Sequence, residues 1–151
     1  MAGLVDTNIL VYRFDPRFPA KQERATELLK NGIADGSAFV PYQALVEFLA
    51  VVTRPISGKA PLLPLEDARR EVEDMLTQFP IIYPTENTLR IALRGAALYG
   101  FSWFDACLWA YADERGLETL WSEDFQSGRR YGRVEVVNPF AACVQDAPRP
   151  R

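Results

Sequence analysis

The chain has 151 residues, 48% hydrophobic and 25% charged, with a net charge of −3; that is the make-up of one globular domain, not of a disordered or fibrous chain. It contains no histidine and only two cysteines, Cys107 and Cys143. This excludes Ser-His-Asp and Cys-His nucleophiles, paired-histidine RNA cleavage, histidine-bound zinc and a four-thiolate zinc site. Hydrolytic chemistry would have to run on carboxylates, hydroxyls, Lys/Arg or an oxygen-liganded metal.

In chain order, Gly3–Asp6 reads as a first strand that turns into Ile9–Tyr12. Pro19–Ala34 carries Ala25, Leu28, Leu29 and Ile33 at helical spacing, closed by Gly32 and Gly36. Ala38–Val40 is a second strand and Tyr42–Thr53 a long helix that stops before Pro55. A loop over Pro55–Leu63 leads to a helix opened by Pro64, with the stripe Leu65, Ala68, Val72, Met75, Leu76 and Phe79. Ile81–Tyr83 is a third strand, Thr85–Tyr99 and Ser102–Arg115 are helices ended by Gly100 and Gly116, and Leu117–Trp121 is a fourth strand. A Gly- and Arg-rich turn precedes a fifth strand, Val134–Val137, and the tail Asp146–Arg151 is expected to fray. Strands separated by helices imply a mainly parallel five-stranded sheet covered on both faces. In such sheets sites lie beyond the C-terminal strand ends.

That rule selects four acids. Asp6 ends the first strand, Asp124 follows the fourth, Asp105 sits in the first turn of one helix and Glu47 in the second turn of another. Each has an ordinary explanation. Asp6 suits a helix N-cap, Asp124 a turn, and Ser102 with Asp105 makes the spacing of a capping box. Glu47 shares a narrow polar stripe with Gln43 and Arg54 on a helix that is otherwise apolar nearly all round. Such a helix is expected to be mostly buried, so its carboxylate needs a partner or a metal. Taken together, carboxylates from two strand ends and two helix starts would converge on one oxygen-rich cleft suited to Mg²⁺ or Mn²⁺. A bound metal can lower the pKa of water, which makes a histidine base unnecessary.

The segments Leu4–Leu10, Ala44–Val52 around Glu47, Ser102–Ala106 and Leu120–Gly128, with the closing Val136–Phe140, resemble in order and spacing the PIN-domain ribonucleases. Within that family the chain looks most like the VapC-type toxins of toxin–antitoxin pairs. The resemblance implies a three-layer α/β sandwich over residues 1–140, with 141–151 as an extension, and a Mg²⁺- or Mn²⁺-dependent endoribonuclease. It makes Asp6 and Asp105 the direct metal ligands. Glu47 and Asp124 complete the site or hold a second metal or its water, with Thr7, Asn8 and Ser122 in support. It further implies a cognate antitoxin and a homodimer in the cytoplasm.

The acidic net charge argues against a nucleic-acid partner, but setting aside four site carboxylates changes −3 to +1, and arginines outnumber lysines 14 to 3. Arginine is the better fork for phosphate. Arg90 and Arg94 on one helix, and Arg129, Arg130 and Arg133 near the fourth acidic motif, are candidate RNA contacts that could equally be ordinary surface arginines. Trp103, Phe104, Trp109 and Tyr111 are expected in the core, with one exposed ring able to stack a base. The helix Pro41–Thr53 and the loop Pro55–Leu63 are candidates for an antitoxin groove, against plain core packing and a flexible connector. No signal peptide or membrane-spanning run is expected, and two cysteines suit a reduced compartment. A non-toxin PIN-like nuclease of RNA processing, a non-enzymatic metal-binding regulatory domain, a phosphoacceptor switch and a phosphate-monoester hydrolase remain alternatives. The last two are disfavoured because their acidic motifs are not found.

Overall fold

A computed structural model of the chain describes residues 2–143; the expected frayed tail, Asp146–Arg151, lies outside the described residues. Strands β1 (Gly3–Val5), β2 (Ala38–Pro41), β3 (Ile81–Ile82), β4 (Thr119–Trp121), β5 (Arg130–Tyr131) and β6 (Val134–Val137) form one sheet in the order β3-β2-β1-β4-β6-β5. All pairings are parallel except β5 with β6. The sheet has six strands where five are expected from the sequence. The added one is the two-residue β5 inside the Gly/Arg-rich turn, too short to show any alternation of its own.

Alternation along the strands sorts the helices into two layers. Val5, Val40 and Trp121 face α1 (Thr7–Tyr12), α2 (Pro19–Asp35), α3 (Tyr42–Val52) and α4 (Leu65–Gln78). Leu4, Phe39, Leu120, Val134 and Val136 face α5 (Glu86–Tyr99) and α6 (Trp103–Glu114). The result is the expected three-layer sandwich. Pro19 starts α2 and Gly36, at φ 70°, ends it. Glu114 near the end of α6 accepts from Asn87 and Thr88 at the start of α5, so the two helices run antiparallel. They close tightly because Gly95 of α5 has no side chain; a Cβ there would come within 2.5 Å of the Trp109 ring.

The site depends on where strand order reverses. From β1 the chain moves outward to β2 and β3, then returns to lay β4 on the other side of β1. The C-terminal ends of β1 and β4 thus open side by side onto a crevice. Helix α3 departs from the expectation of a mostly buried helix. It buries Ala44, Leu45, Phe48 and Val52, while Tyr42, Val46 and Val51 are exposed. Nearly all-round apolarity does not bury a helix when only one layer packs on it. Among the described residues no helix is long and apolar enough to cross a membrane.

Candidate active site

Asp6 leaves β1 and caps α1. Its Oδ1 accepts from the Thr7 amide at 2.6 Å and its Oδ2 from the Ser122 hydroxyl at 2.6 Å. Ser122 leaves β4, is fully buried, and also accepts from the Asp124 amide at 3.1 Å. One hydroxyl therefore ties the ends of the two central strands together and fixes the turn that carries Asp124. Across the crevice Thr7 Oγ1 donates to Glu47 Oε2 at 2.8 Å, and Asn8 Nδ2 donates to Asp124 Oδ2 at 2.8 Å. Asp6, Thr7 and Asn8 thus each hold one point of the constellation.

Asp105 is different. Ser102 caps α6 by accepting from the Asp105 amide at 3.2 Å, but the return bond of a capping box, from the Asp105 carboxylate to the Ser102 amide, is not made. That carboxylate accepts no hydrogen bond among the described residues. The reciprocal box occurs instead at α5, between Thr85 and Thr88. The spacing of Ser102 and Asp105 is that of a cap, and the fold uses only the serine for it.

Two of the four acids, Asp6 and Asp124, are shifted by their surroundings. Burial pushes the Asp6 carboxyl up to about 7, with Asp124 and Glu47 adding to the rise against the bonds from Ser122 and Thr7. Asp124 is raised by burial and by the charges of Glu123 and Asp105. None of the four is paired with a lysine or arginine among the described residues. The donor set has the oxygen chemistry of a hard divalent cation and a charge excess that the described residues leave unbalanced. Among the described residues no three acidic or thiol side chains already stand close enough to form a ready cage. Magnesium does not need one, since it is held by one or two carboxylates plus waters. The residues fit such an ion in kind.

Three contacts escaped the sequence. Gln43 donates to Glu47 Oε1 at 2.9 Å and to the Phe104 carbonyl at 3.3 Å, bridging α3 to the first turn of α6. Its place four residues before Glu47 was the available signal. Glu123 accepts from Tyr12 at 2.5 Å and from Lys21 at 3.0 Å, anchoring the loop beside Asp124. Asp15, 2% exposed, takes a two-point fork from Arg17. The partners of Glu123 lie more than 100 residues away in the chain, so no local pattern marks them.

The remaining expected residues are placed less simply. Trp109 and Tyr111 are buried as expected, but Trp103 and Phe104 are exposed at 66% and 73%. The first turn of α6 has sheet and helices on one side only. Arg90 is engaged with Glu86, and Arg94 is exposed on α5. The three arginines around β5 are spread along that strand pair. Arg129 lies over the Tyr131 ring and reaches Gln126, while Arg130 faces Glu135. Arg133 sits in the β5–β6 turn ahead of Val134, at the end of the sheet opposite the crevice. For Arg133, sequence proximity to Asp124 is undone by the antiparallel strand that carries the chain away. Cys107 and Cys143 are free thiols.

Comparison with known proteins follows the same outline. The PIN domain family model matches residues 3–132. Among solved structures, a toxin–antitoxin complex from Klebsiella pneumoniae is similar at 18% identity and a TM-score of 0.67, over 91% of this chain and 98% of that one. FitAB bound to an IR36 DNA fragment is similar at 22% identity and a TM-score of 0.66, over 91% and 95%. VapC20 of Mycobacterium tuberculosis, a sarcin-ricin loop cleaving toxin, is similar at 15% identity and a TM-score of 0.61, over 82% and 90%. No curated protein sequence matches significantly.

Proposed function

Because the chain belongs to the PIN-domain family, we propose that it is a divalent-metal-dependent endoribonuclease and the toxin component of a toxin–antitoxin pair. The observation that carries the catalytic reading is the set of four carboxylates around the switch point of the sheet, with Asp6 and Asp124 both raised by burial and by neighbouring acids and none of the four ion-paired among the described residues. In this reading Asp6 and Asp105 hold Mg²⁺ or Mn²⁺ directly, and Glu47 and Asp124 complete the site or hold a second ion. Such an ion, when bound, supplies Lewis acidity toward a phosphodiester and acidity to water, which a chain without histidine otherwise lacks. The side chains do the positioning. Ser122 and the Thr7 amide orient Asp6, Thr7 Oγ1 and Gln43 orient Glu47, and Asn8 orients Asp124. The Asp6 carboxyl, near 7 in the metal-free protein, gives up its proton readily at neutral pH when a positive charge arrives.

The toxin reading draws its support from two of the similar solved structures, one a toxin–antitoxin complex and the other a sarcin-ricin loop cleaving toxin. For the antitoxin, the loop over 55–63 offers a hollow of about 380 Å³ against Pro16 and Arg17. Exposed Leu89 and Leu93 on α5 provide an apolar surface for the expected second copy. A cytoplasmic location suits the two free thiols.

Two experiments test these readings separately. Purified protein incubated with structured RNAs should cleave with Mg²⁺ or Mn²⁺ and stop with EDTA; undiminished cleavage in EDTA sinks the metal site. Expression of the protein alone should arrest growth, and co-expression of a neighbouring small protein should relieve it. Normal growth with soluble, nuclease-active protein leaves a non-toxin PIN nuclease of RNA processing as the better reading.

A further inference from the structure

Beside the four acids lies a groove that none of the contacts above explains. It has a volume of about 400 Å³ and is lined by Glu47, Ala50, Val51, Arg54 and Phe104. A second hollow of about 370 Å³ lies against Tyr42, Val46 and Pro84, and it shares Glu47 and Phe104 with the first. The Phe104 ring therefore stands as a partition between two hollows, 73% exposed, one residue before Asp105. A phenylalanine usually buries most of its surface, and this one is held out by structure. Its carbonyl is tied to Gln43 and its helix is capped by Ser102, so the turn that presents the ring is fixed at both ends.

Across the first hollow, Arg54 is exposed, and its side chain makes no hydrogen bond or ion pair among the described residues. Glu47, although it lines the same groove, is engaged by Thr7 and Gln43. The groove thus combines an unpaired guanidinium, an apolar floor at Ala50 and Val51, and an exposed aromatic face. That is the chemistry of one nucleotide unit, an anionic phosphate joined to a flat base. The volume falls in the range of small-ligand sites. It is not the long trough that an amphipathic helix occupies.

We propose that Arg54 and Phe104 form a nucleotide subsite next to the acidic crevice, with a base of single-stranded RNA stacked on Phe104 and a backbone phosphate paired with Arg54. The subsite selects unpaired RNA, because a base inside a duplex presents no free face to the ring. This deepens the nuclease reading and rests on it for the identity of the strand as substrate.

The test measures binding apart from cleavage. Fluorescence anisotropy in EDTA at low salt would follow a labelled oligouridylate and an abasic ribose-phosphate oligomer of equal length, using wild type, Phe104→Ala, Phe104→Tyr and Arg54→Ala. Phe104→Ala should weaken oligouridylate binding about tenfold or more, and Phe104→Tyr should restore it. Wild type should bind the abasic oligomer as weakly as Phe104→Ala binds oligouridylate, with no further loss when the two changes are combined. Arg54→Ala should weaken both oligomers and lower the salt dependence by about one phosphate contact. In cleavage assays with Mg²⁺, Phe104→Ala should raise KM with kcat little changed. No measurable oligouridylate binding by the wild type overturns the subsite, as does equal binding by Phe104→Ala. If that variant instead changes self-association on a sizing column while RNA affinity is kept, the groove is a protein-docking face and the proposal falls. If wild type cleaves nothing with either metal but the ring-dependent binding holds, the nuclease reading fails and the single-strand subsite stands.

Discussion

The crevice has two halves built on opposite terms. On the strand side Asp6 and Ser122 are buried, and both Asp6 oxygens and the Ser122 hydroxyl are used in bonds within the protein. On the helix side the Asp105 carboxylate accepts no hydrogen bond among the described residues, and Trp103 and Phe104 are exposed. The strand half is set by folding, since the bond from Ser122 to Asp6 joins residues 116 positions apart in sequence. The helix half is left for something from outside. A mutation in the first half should therefore disturb the protein as well as its chemistry, and one in the second should disturb chemistry alone.

The largest effect expected is on cleavage. Asp105→Asn is nearly isosteric, and the side chain it replaces makes no hydrogen bond among the described residues, so it should melt like wild type without metal, bind Mn²⁺ much more weakly and cleave RNA slower by orders of magnitude. Asp6→Asn should lose as much activity, but with altered stability. The pair is compared by thermal melting in EDTA, Mn²⁺ titration and RNA cleavage. Wild-type cleavage by Asp105→Asn would dismantle the four-carboxylate site, and an equal change in melting for both variants would erase the contrast between the halves.

The second effect is on pH dependence. An Asp6 carboxyl at about 7 when folded, against 3.8 as its ordinary value, binds its proton more tightly in the folded chain. The unfolded chain holds fewer protons between those values, so this group makes stability fall as pH rises from about 4 to about 7 and levels off above. The contribution is on the order of 4 kcal/mol. Denaturant melts of metal-free protein across that window should show this downward trend, and Asp6→Asn should flatten it and be the more stable protein above pH 7. Added Mg²⁺ should oppose the loss in the wild type only. Identical pH profiles for the two proteins would mean that Asp6 is not under strain from burial.

The smallest effect probes the helix half from its structural side. Ser102 caps α6 with a single bond at a solvent-exposed end. Ser102→Ala should cost about 1 kcal/mol of stability and leave cleavage within a few-fold of wild type. A collapse of activity from Ser102→Ala comparable to that of Asp105→Asn would show that the cap, not the carboxylate, governs that end of the helix.

Much of this arrangement was legible in the chain. The apolar run broken by Asp6, the stop signals Gly36 and Gly100, and the acids at strand ends and helix starts follow from local periodicity, and they gave the layers and the constellation. Exposure was not legible in the same way. Periodicity says which residues share a face of α3 or α6, but not whether anything packs on it. A mostly buried α3 and core positions for Trp103 and Phe104 are what the pattern predicts, whereas Tyr42, Val46, Val51, Trp103 and Phe104 lie on the surface.

The sequence by itself determined the chemical repertoire, because composition is absolute: without histidine, only carboxylates, hydroxyls and a bound cation remain for hydrolysis. It also determined where each acid sits within its own element, since helix and strand periods act over a few residues. The tertiary structure alone decided which acids meet, which are used up in internal bonds and which stay open. The Ser122 hydroxyl reaches Asp6 only because β4 returns beside β1. Arg133 leaves the acids because β5 turns back along β6. Glu123 meets Tyr12 and Lys21 through contacts more than 100 residues apart. Such contacts depend on the closure of long loops around a common core, and a local pattern carries no record of that closure.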